Sequence, residues 1–398
     1  MRREAPLAAG DLCNISPHSL FVDREGRLHL ACLHHMIRAG RGGELLLGHD
    51  WSAAAANVLV PGPATLVPSM QDTRIVSVAA SDRHCLALSA EGEVYSWGDR
   101  GYGVLGHADG SARAGPTKIE TLACVESIAA ETLAITAVDD RGRLFTWGRA
   151  RWENAPTGLG YELDPETECQ LTPKRVDVLS PHRVVGVDFG ACFTLAVTDA
   201  GAVFSFGSSY HGALGHGLST SEVLPQPIQA LAETGRRFVA EAAGRTHALS
   251  LTEEGQLYAW GDELANGHEH GQYQTTPQLV TALAGEHARR VYAYDFSLCA
   301  ITQNGELYTW GSGIPDSFGL GHGVAASQLT PKRVEALRHV KVAAAAVCYT
   351  HTLVAGEDGI VWVFEERSAV GLCGVDAPPG YRDGQPIPIP NLRVRILP

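Results

Sequence analysis

The sequence predicts an all-β fold, a closed seven-bladed β-propeller, and three observations predict it. A hairpin signature recurs seven times along the 398 residues. Glycine- and proline-marked loops separate the hairpins, with few stretches of 3.6-residue apolar period. One such unit also carries apolar faces on both sides. Radial packing of several copies buries those faces and leaves only short edges.

The turn glycine of the signature is Gly26, Gly92, Gly142, Gly201, Gly255, Gly305 and Gly359, spaced 50 to 66 residues apart. Glycine accepts positive φ at little cost, so each marks a tight hairpin turn. A short apolar run precedes it, such as Cys85-Leu86-Ala87-Leu88 or Thr194-Leu195-Ala196-Val197. An alternating strand follows, such as Val94-Tyr95-Ser96-Trp97, and a second glycine (Gly98, Gly148, Gly207, Gly261, Gly311) ends it. Then come a loop, a Leu-Gly-His element and a Pro-containing segment such as Thr172-Pro173-Lys174-Arg175-Val176.

In chain order, residues 1–10 read as a loose start and residues 11–398 as one propeller domain. Leu12 to Val22 reads as strand, turn, strand, with His18 where the repeat's histidine belongs. The first unit lacks the Trp-Gly ending after Gly26, yet Leu47-Gly48-His49 keeps the later element. Units two to six are the best copies. Unit seven ends its aromatic strand, Val361-Trp362-Val363-Phe364, in Glu-Glu rather than Gly, and Ala377 to Pro390 is rich in Pro and Gly. Asn391 to Leu397 then reads as one more strand. It is expected to complete a blade begun at the N-terminus and so remove the last open edge.

The composite pattern GxxHxLALxxxGxVYxWGxxxxGxLGHG resembles the repeat of the regulator of chromosome condensation family. Ala80 to Leu88 followed by Gly92 to His107 carries nearly all of it, and Gly244 to Gly261 is a second good copy. The resemblance covers roughly Gly10 to Leu397 and implies the propeller. It leaves function open, because one fold hosts several jobs.

Composition narrows the classes. Net charge is −13, with 31 Lys and Arg against 44 Asp and Glu. That argues against general binding to nucleic acid or anionic membrane. Nine cysteines stand singly, which fits reduced thiols inside a cell better than a disulfide framework. No apolar run reaches membrane-spanning length, and no secretory leader is evident. The Asn14-Ile15-Ser16 triplet therefore carries little weight. The chain is expected to be intracellular, cytoplasmic or nuclear, and monomeric by itself.

Several motifs are decoys. Gly101-Tyr102-Gly103-Val104-Leu105-Gly106 spells GxGxxG but precedes a loop, whereas a dinucleotide site needs a strand before it and a helix after. His268-Glu269-His270 lacks the i, i+4 helical spacing of a zinc pair. His84, His247 and His351 recur with the repeat, so they read as ties between turn and backbone rather than as catalysts. Trp97, Trp147, Trp260 and Trp310 recur likewise and read as core. No cofactor or metal is expected, and no constellation for group transfer or hydrolysis is present.

Function is then expected on a loop that departs from the repeat. The step from the strand-ending Gly to the following Pro is 25 residues in unit three (Gly148 to Pro173) and 16 to 20 in units two, four, five and six. The unit-three loop holds Arg149, Arg151, Trp152, Glu153, Asn154 and Tyr161. Trp beside Arg is the composition of an interface anchor. The resemblance adds that the family's founding member is an exchange factor for the small GTPase Ran. It drives a wedge into the GTPase from the loop after the Trp-Gly of its third repeat, with acidic residues in nearby turns. Asp82 and Glu131 stand in such turns here, while Cys192 replaces the next acid. The resemblance thus implies a protein partner, a Ras-like small GTPase, and exchange without covalent chemistry. The second reading is a non-catalytic scaffold or a subunit of a larger assembly. A photoreceptor like the plant ultraviolet-B sensor is disfavoured, because the turns at Asp82-Arg83-His84 and Arg245-Thr246-His247 carry no Trp.

Overall fold

The computed structural model describes residues 12–15, 18–22, 26–32, 65–81, 84–152, 155–163, 167–263, 266–268, 273–311, 319–324, 326–347, 351–365 and 384–393. These residues build an all-β propeller. They form seven four-stranded antiparallel sheets, numbered 1 to 7 along the chain, and one two-stranded ribbon. Sheet 2 shows the common plan: Ile75–Ala80, His84–Ser89, Val94–Gly98 and Arg113–Lys118, in that spatial order. The hairpin predicted around Gly92 joins its second and third strands, and Gly92 has φ 79°. A Cβ there would lie 2.8 Å from the Cα of Cys124, so the turn also packs against the next sheet.

The first strands pack side by side from sheet to sheet. Leu12–Ile15 of sheet 1 lies against Ile75–Ala80 of sheet 2 on one side and Val342–Val347 of sheet 7 on the other. The apolar core sits between successive sheets. Trp97, Trp147, Trp260 and Trp310 are 0–1 % exposed and hold equivalent places in the third strands, with Phe206 and Phe364 in the same role. Each wedge-shaped gap needs one large flat ring, which is why the aromatic recurs with the repeat.

The expected role of the C-terminal strand is corrected. The strand is Ile387–Arg393, and it pairs with Ile360–Glu365 inside sheet 7 (Ile360 opposite Arg393, Val363 opposite Ile387). Sheet 1 draws all four strands from residues 12–66, ending in Thr65–Leu66. The physical reason lies in the Pro-containing segment. In sheets 2 to 6 that segment is the outermost strand, where one edge is free and a missing N–H is tolerated. Pro386-Ile387-Pro388 is the same element of unit seven, with Pro386 in the register place of Pro173, displaced by the long preceding loop. Among the described residues, the first strands of sheets 1 and 7 pack together and no strand is shared between the two sheets.

Candidate functional site

The repeat's own residues lock one another. Ser96, Ser205 and Thr309 precede the core aromatic and donate to the carbonyls of Leu105, Leu214 and Leu320 at 2.6, 2.7 and 2.5 Å. Each hydroxyl spends its proton there, so it accepts from Nε2 of His107, His216 or His322 at 3.1, 2.9 and 3.0 Å. Burial lowers the pKa of all three histidines and keeps them in this neutral role. The tryptophan of the next sheet closes the element. Trp147 Nε1 donates to Val104 O at 2.8 Å, and Trp260 Nε1 to Ala213 O at 2.7 Å.

The turn histidines do not tie the turn to neighbouring backbone as expected: among the described residues neither ring nitrogen of His247, nor Nε2 of His84, has a hydrogen-bond partner. His84 bonds Ser81 Oγ through Nδ1 at 2.7 Å. The His247 ring instead lies over Gly244, where a Cβ would come within 2.1 Å of it, and Phe193 covers Gly190 in the same way. Burial depresses His84 to about 3 and His247 to about 4.

Unit three breaks these rules together. Ala134 stands in the place of the turn histidine, since Glu131 N bonds Ala134 O as Gly244 N bonds His247 O. With no ring above it, the glycine position can carry a side chain, and that side chain is Glu131. Its carboxylate accepts from the N–H of Thr132. The register also separates the acidic turn positions read from the sequence: Glu131 matches Ser81 and Gly190, whereas Cys192 matches Leu133. Asp82, Glu153 and Asn154 lie outside the described residues.

The unit-three insertion resolves into a ribbon and a lock. Thr146 Oγ1 donates to Leu159 O at 2.6 Å, so Leu159-Gly160-Tyr161 is this unit's Leu-Gly-His. Tyr161 replaces the histidine. Its hydroxyl donates to Thr146 O at 2.9 Å, Lys174 Nζ sits 4.2 Å from its ring centroid, and burial raises its pKa. Tyr161 therefore braces the loop from below.

Part of the extra length lies between Gly148 and Leu159, where the step is 11 residues against 7 in units two and four. The residues there form the ribbon, Arg151–Trp152 paired with Ala155–Pro156. In sheets 2 and 4 this place holds a single 3-10 turn, Gly101–Gly103 and Tyr210–Gly212. The base of the ribbon is anchored. Arg149 N donates to Leu133 O at 2.7 Å, Ala150 N to Glu168 O at 2.9 Å, and Thr157 Oγ1 to Arg149 O. Thr194 Oγ1 of sheet 4 donates to Gly158 O at 2.7 Å.

Above this base, the Arg149 guanidinium lies between two rings, 4.6 Å from the Tyr102 centroid and 4.9 Å from that of Trp152. Arg149 Nε donates to Arg151 O at 2.7 Å, which fixes the sandwich to the ribbon backbone. Trp152 remains 43 % exposed, with Arg151 and Leu171 exposed nearby. Charge and geometry together hold an indole upright on the rim, so little side-chain freedom remains to be lost on binding.

The family model for the RCC1-like domain matches residues 7–354. The chain belongs to the RCC1-like domain family. It is 34 % identical over 366 residues to the E3 ubiquitin-protein ligase HERC2 of Homo sapiens, a match covering 90 % of this chain and 7 % of the ligase. It is 33 % identical over 218 residues to the ultraviolet-B receptor UVR8 of Arabidopsis thaliana, covering 54 % of this chain and 46 % of the receptor. This RCC1-like chain thus spans less than half the length of either relative. Among solved structures it resembles Prp20p from Saccharomyces cerevisiae, at TM-score 0.70 and 24 % identity over 88 % of this chain and 85 % of that one. That structure was described with its binding to Gsp1p and histones. At this identity the likeness speaks for the fold.

Of the residues named from sequence, the structure brings Arg149, Arg151 and Trp152 together on the ribbon, places Tyr161 beneath it, and sets Glu131 in the turn between the first two strands of sheet 3, whose Leu133 O accepts from Arg149 N. Sequence reading misses Tyr102, which belongs to unit two and reaches Arg149 across the sheet boundary. The signal for it is an aromatic inside one unit's GxG together with a charge just after the next unit's Trp-Gly. Among the described residues no group of three or more His, Cys, Asp or Glu could hold a metal ion. No described helix is long and apolar enough to cross a membrane.

Proposed function

We propose that this chain is a single propeller domain over residues 11–398, closed as seven blades, that binds a protein partner through the unit-three ribbon. The partner class we favour is a Ras-like small GTPase, with guanine-nucleotide exchange as the activity. The observation that carries this reading is the ribbon itself: an anchored, Trp-bearing projection after the Trp-Gly of unit three, where sheets 2 and 4 have only a short turn. Trp152 and Arg151 make the first contact, Glu153 and Asn154 complete the tip in sequence, and Arg149 and Tyr161 hold it. Glu131, and Asp82 by its place in the sequence, add negative charge to this role. Exchange then needs no covalent chemistry: a ribbon that fits the nucleotide-free GTPase better than the loaded one shifts the equilibrium by that difference in affinity. The net charge of −13 speeds encounter with a basic partner face. We place the protein inside the cell, as a monomer until it meets its partner.

Release of a fluorescent guanine nucleotide, measured across a panel of small GTPases, tests the reading. Acceleration with at least one GTPase is expected. Trp152→Ala with Glu153→Ala should slow it about tenfold or more, since a central Trp anchor is worth about 2 kcal/mol or more, and should leave the melting temperature unchanged. A second reading, the non-catalytic scaffold, is favoured by the HERC2 match, in which this domain corresponds to 7 % of a much longer ligase. No acceleration with any GTPase, alongside stable co-purification with another protein, would decide for it.

A further inference from the structure

The slot that Arg149 and Tyr102 occupy between sheets 2 and 3 recurs between sheets 4 and 5, with its chemistry inverted. The middle residue of the 3-10 turn is His211, with φ 54°, where sheet 2 has Tyr102, with φ 62°. The residue after Trp260-Gly261 is Asp262 where sheet 3 has Arg149. Asp262 is buried, and its Oδ2 receives His211 Nδ1 at 2.6 Å. The His211 ring is stacked on Tyr210 (centroids 4.1 Å) and tilted against Tyr273 (4.4 Å).

The two slots differ in what covers the aromatic faces. At the first, the chain's own guanidinium fills the space between two rings. At the second, Tyr210 is 64 % and Tyr273 50 % exposed. Leu218, also 64 % exposed, is tied to the same surface, because its carbonyl accepts from Ser209 Oγ at 3.1 Å and Gly217 N donates to Thr275 O at 2.8 Å. Glu263 and Asp262 both act on Tyr273 electrostatically. The result is a contiguous apolar and aromatic patch with acids behind it, on a molecule that is already anionic. Such patches mark interaction sites. Tyrosine faces backed by negative charge attract a guanidinium most strongly among protein cations, through stacking and charge together.

We propose that the junction of sheets 4 and 5 is a docking surface for an arginine-bearing segment of a partner protein. A partner guanidinium packs against the outer faces of Tyr210 and Tyr273, as Arg149 packs against Tyr102 and Trp152, and Leu218 covers the aliphatic stem. This surface is separate from the ribbon and does not rest on exchange activity.

Fluorescence anisotropy of a labelled peptide of alternating Arg and Gly, at about 150 mM salt so that exposed long-range attraction is screened, tests it. The intact chain should bind. Tyr210→Ala with Tyr273→Ala should weaken binding about fivefold or more, the loss of two cation–π contacts. Tyr210→Phe with Tyr273→Phe, which keeps both ring faces, should retain it and so controls for folding. Asp262→Arg, which supplies the chain's own guanidinium, should weaken binding as well, whereas Trp152→Ala should not. Affinity within twofold for the double alanine variant would overturn the proposal. So would equal binding of a peptide of alternating Lys and Gly that disappears as salt is raised, since that is general attraction to an acidic protein.

Discussion

The junction between sheets 2 and 3 and the junction between sheets 4 and 5 are built on one repeat, yet they carry opposite charges. On the rim the first has Arg149 between Tyr102 and Trp152; the second has Asp262 under His211, Tyr210 and Tyr273. The first strands differ in the same sense. Ala79 and Ile128 at the first junction correspond in register to Asp188 and Glu241 at the second, because Ala79 faces Leu86 as Asp188 faces Leu195, and Ile128 faces Ala137 as Glu241 faces Ser250. The difference teaches which positions the fold needs. Gly and the core aromatic keep their kind at both junctions, because their contacts bridge units. The hydroxyl before the aromatic, whose bond stays inside its own unit, is present at Ser96, Thr146 and Ser205 but gives way to Ala259 in sheet 5. The slot after Trp-Gly and the middle of the loop turn change more freely, because their side chains meet loop and turn residues of their own junction rather than the core between sheets.

The sharpest way to break this comparison is at the shared part. Trp147→Ala and Trp260→Ala each remove a buried ring and its bond to the preceding loop, and each should cost about 3–5 kcal/mol, read as a fall in denaturation midpoint. Markedly unequal losses would show that the two junctions are not equivalent scaffolds.

A smaller effect separates their first strands. Glu241 packs over Gly186, whose Cβ would come within 2.6 Å of Oε1, and its Oε2 is buried with no hydrogen-bond partner among the described residues. Burial, then the neighbouring Asp188, pushes Glu241 well above the carboxylate range; burial alone lifts Asp188 to about 6 against two backbone N–H bonds. Carboxyls with raised folded-state pKa take up protons on folding, so their effect on stability is best in acid and worsens as pH climbs from about 4 through about 6. His84 and His247, depressed by burial, act oppositely and lose stability as pH falls below their unfolded value. The variant isolates the first effect. Glu241→Gln should raise the melting temperature at about pH 7.5, because every tenfold difference in proton affinity between the folded and unfolded chain costs about 1.4 kcal/mol there. The gain should vanish by about pH 4. A constant gain across that range would mean the carboxyl is not the cause.

The smallest effect lies on the rim. Arg149→Ala should cost only about 1 kcal/mol of stability, two exposed cation–π contacts, while Trp152 loses its stacking partner and its fluorescence changes. His211→Ala should leave the Trp152 signal untouched. Coupling between the two would contradict their independence.

Much of this fold is legible in the sequence because its determinants are periodic. The turn glycines, the aromatic before Gly and the Leu-Gly-His element repeat at a spacing that a reader can count. The outer strand of unit seven escapes such counting because a long Pro- and Gly-rich stretch separates it from its hairpin and hides that Pro386 plays the part of Pro173. Tyr161 reads as an interface residue because its company is polar and aromatic. Only alignment on Thr146 and Leu159 shows it standing in for a histidine. Glu131 requires knowing that the ring lying over Gly190 and Gly244 is missing in unit three, where Ala134 takes its place. These are relations across a sheet or between sheets, which linear spacing does not display.

The indole bonds from Trp147 to Val104 and from Trp260 to Ala213 all point one way, toward the part of the chain made earlier. During synthesis, a loop of this protein therefore waits for about one further repeat to leave the ribosome before its last backbone acceptor is satisfied. Assembly lags translation by a fixed length, and protease resistance of ribosome-stalled chains should rise in steps, each one repeat behind the unit it protects.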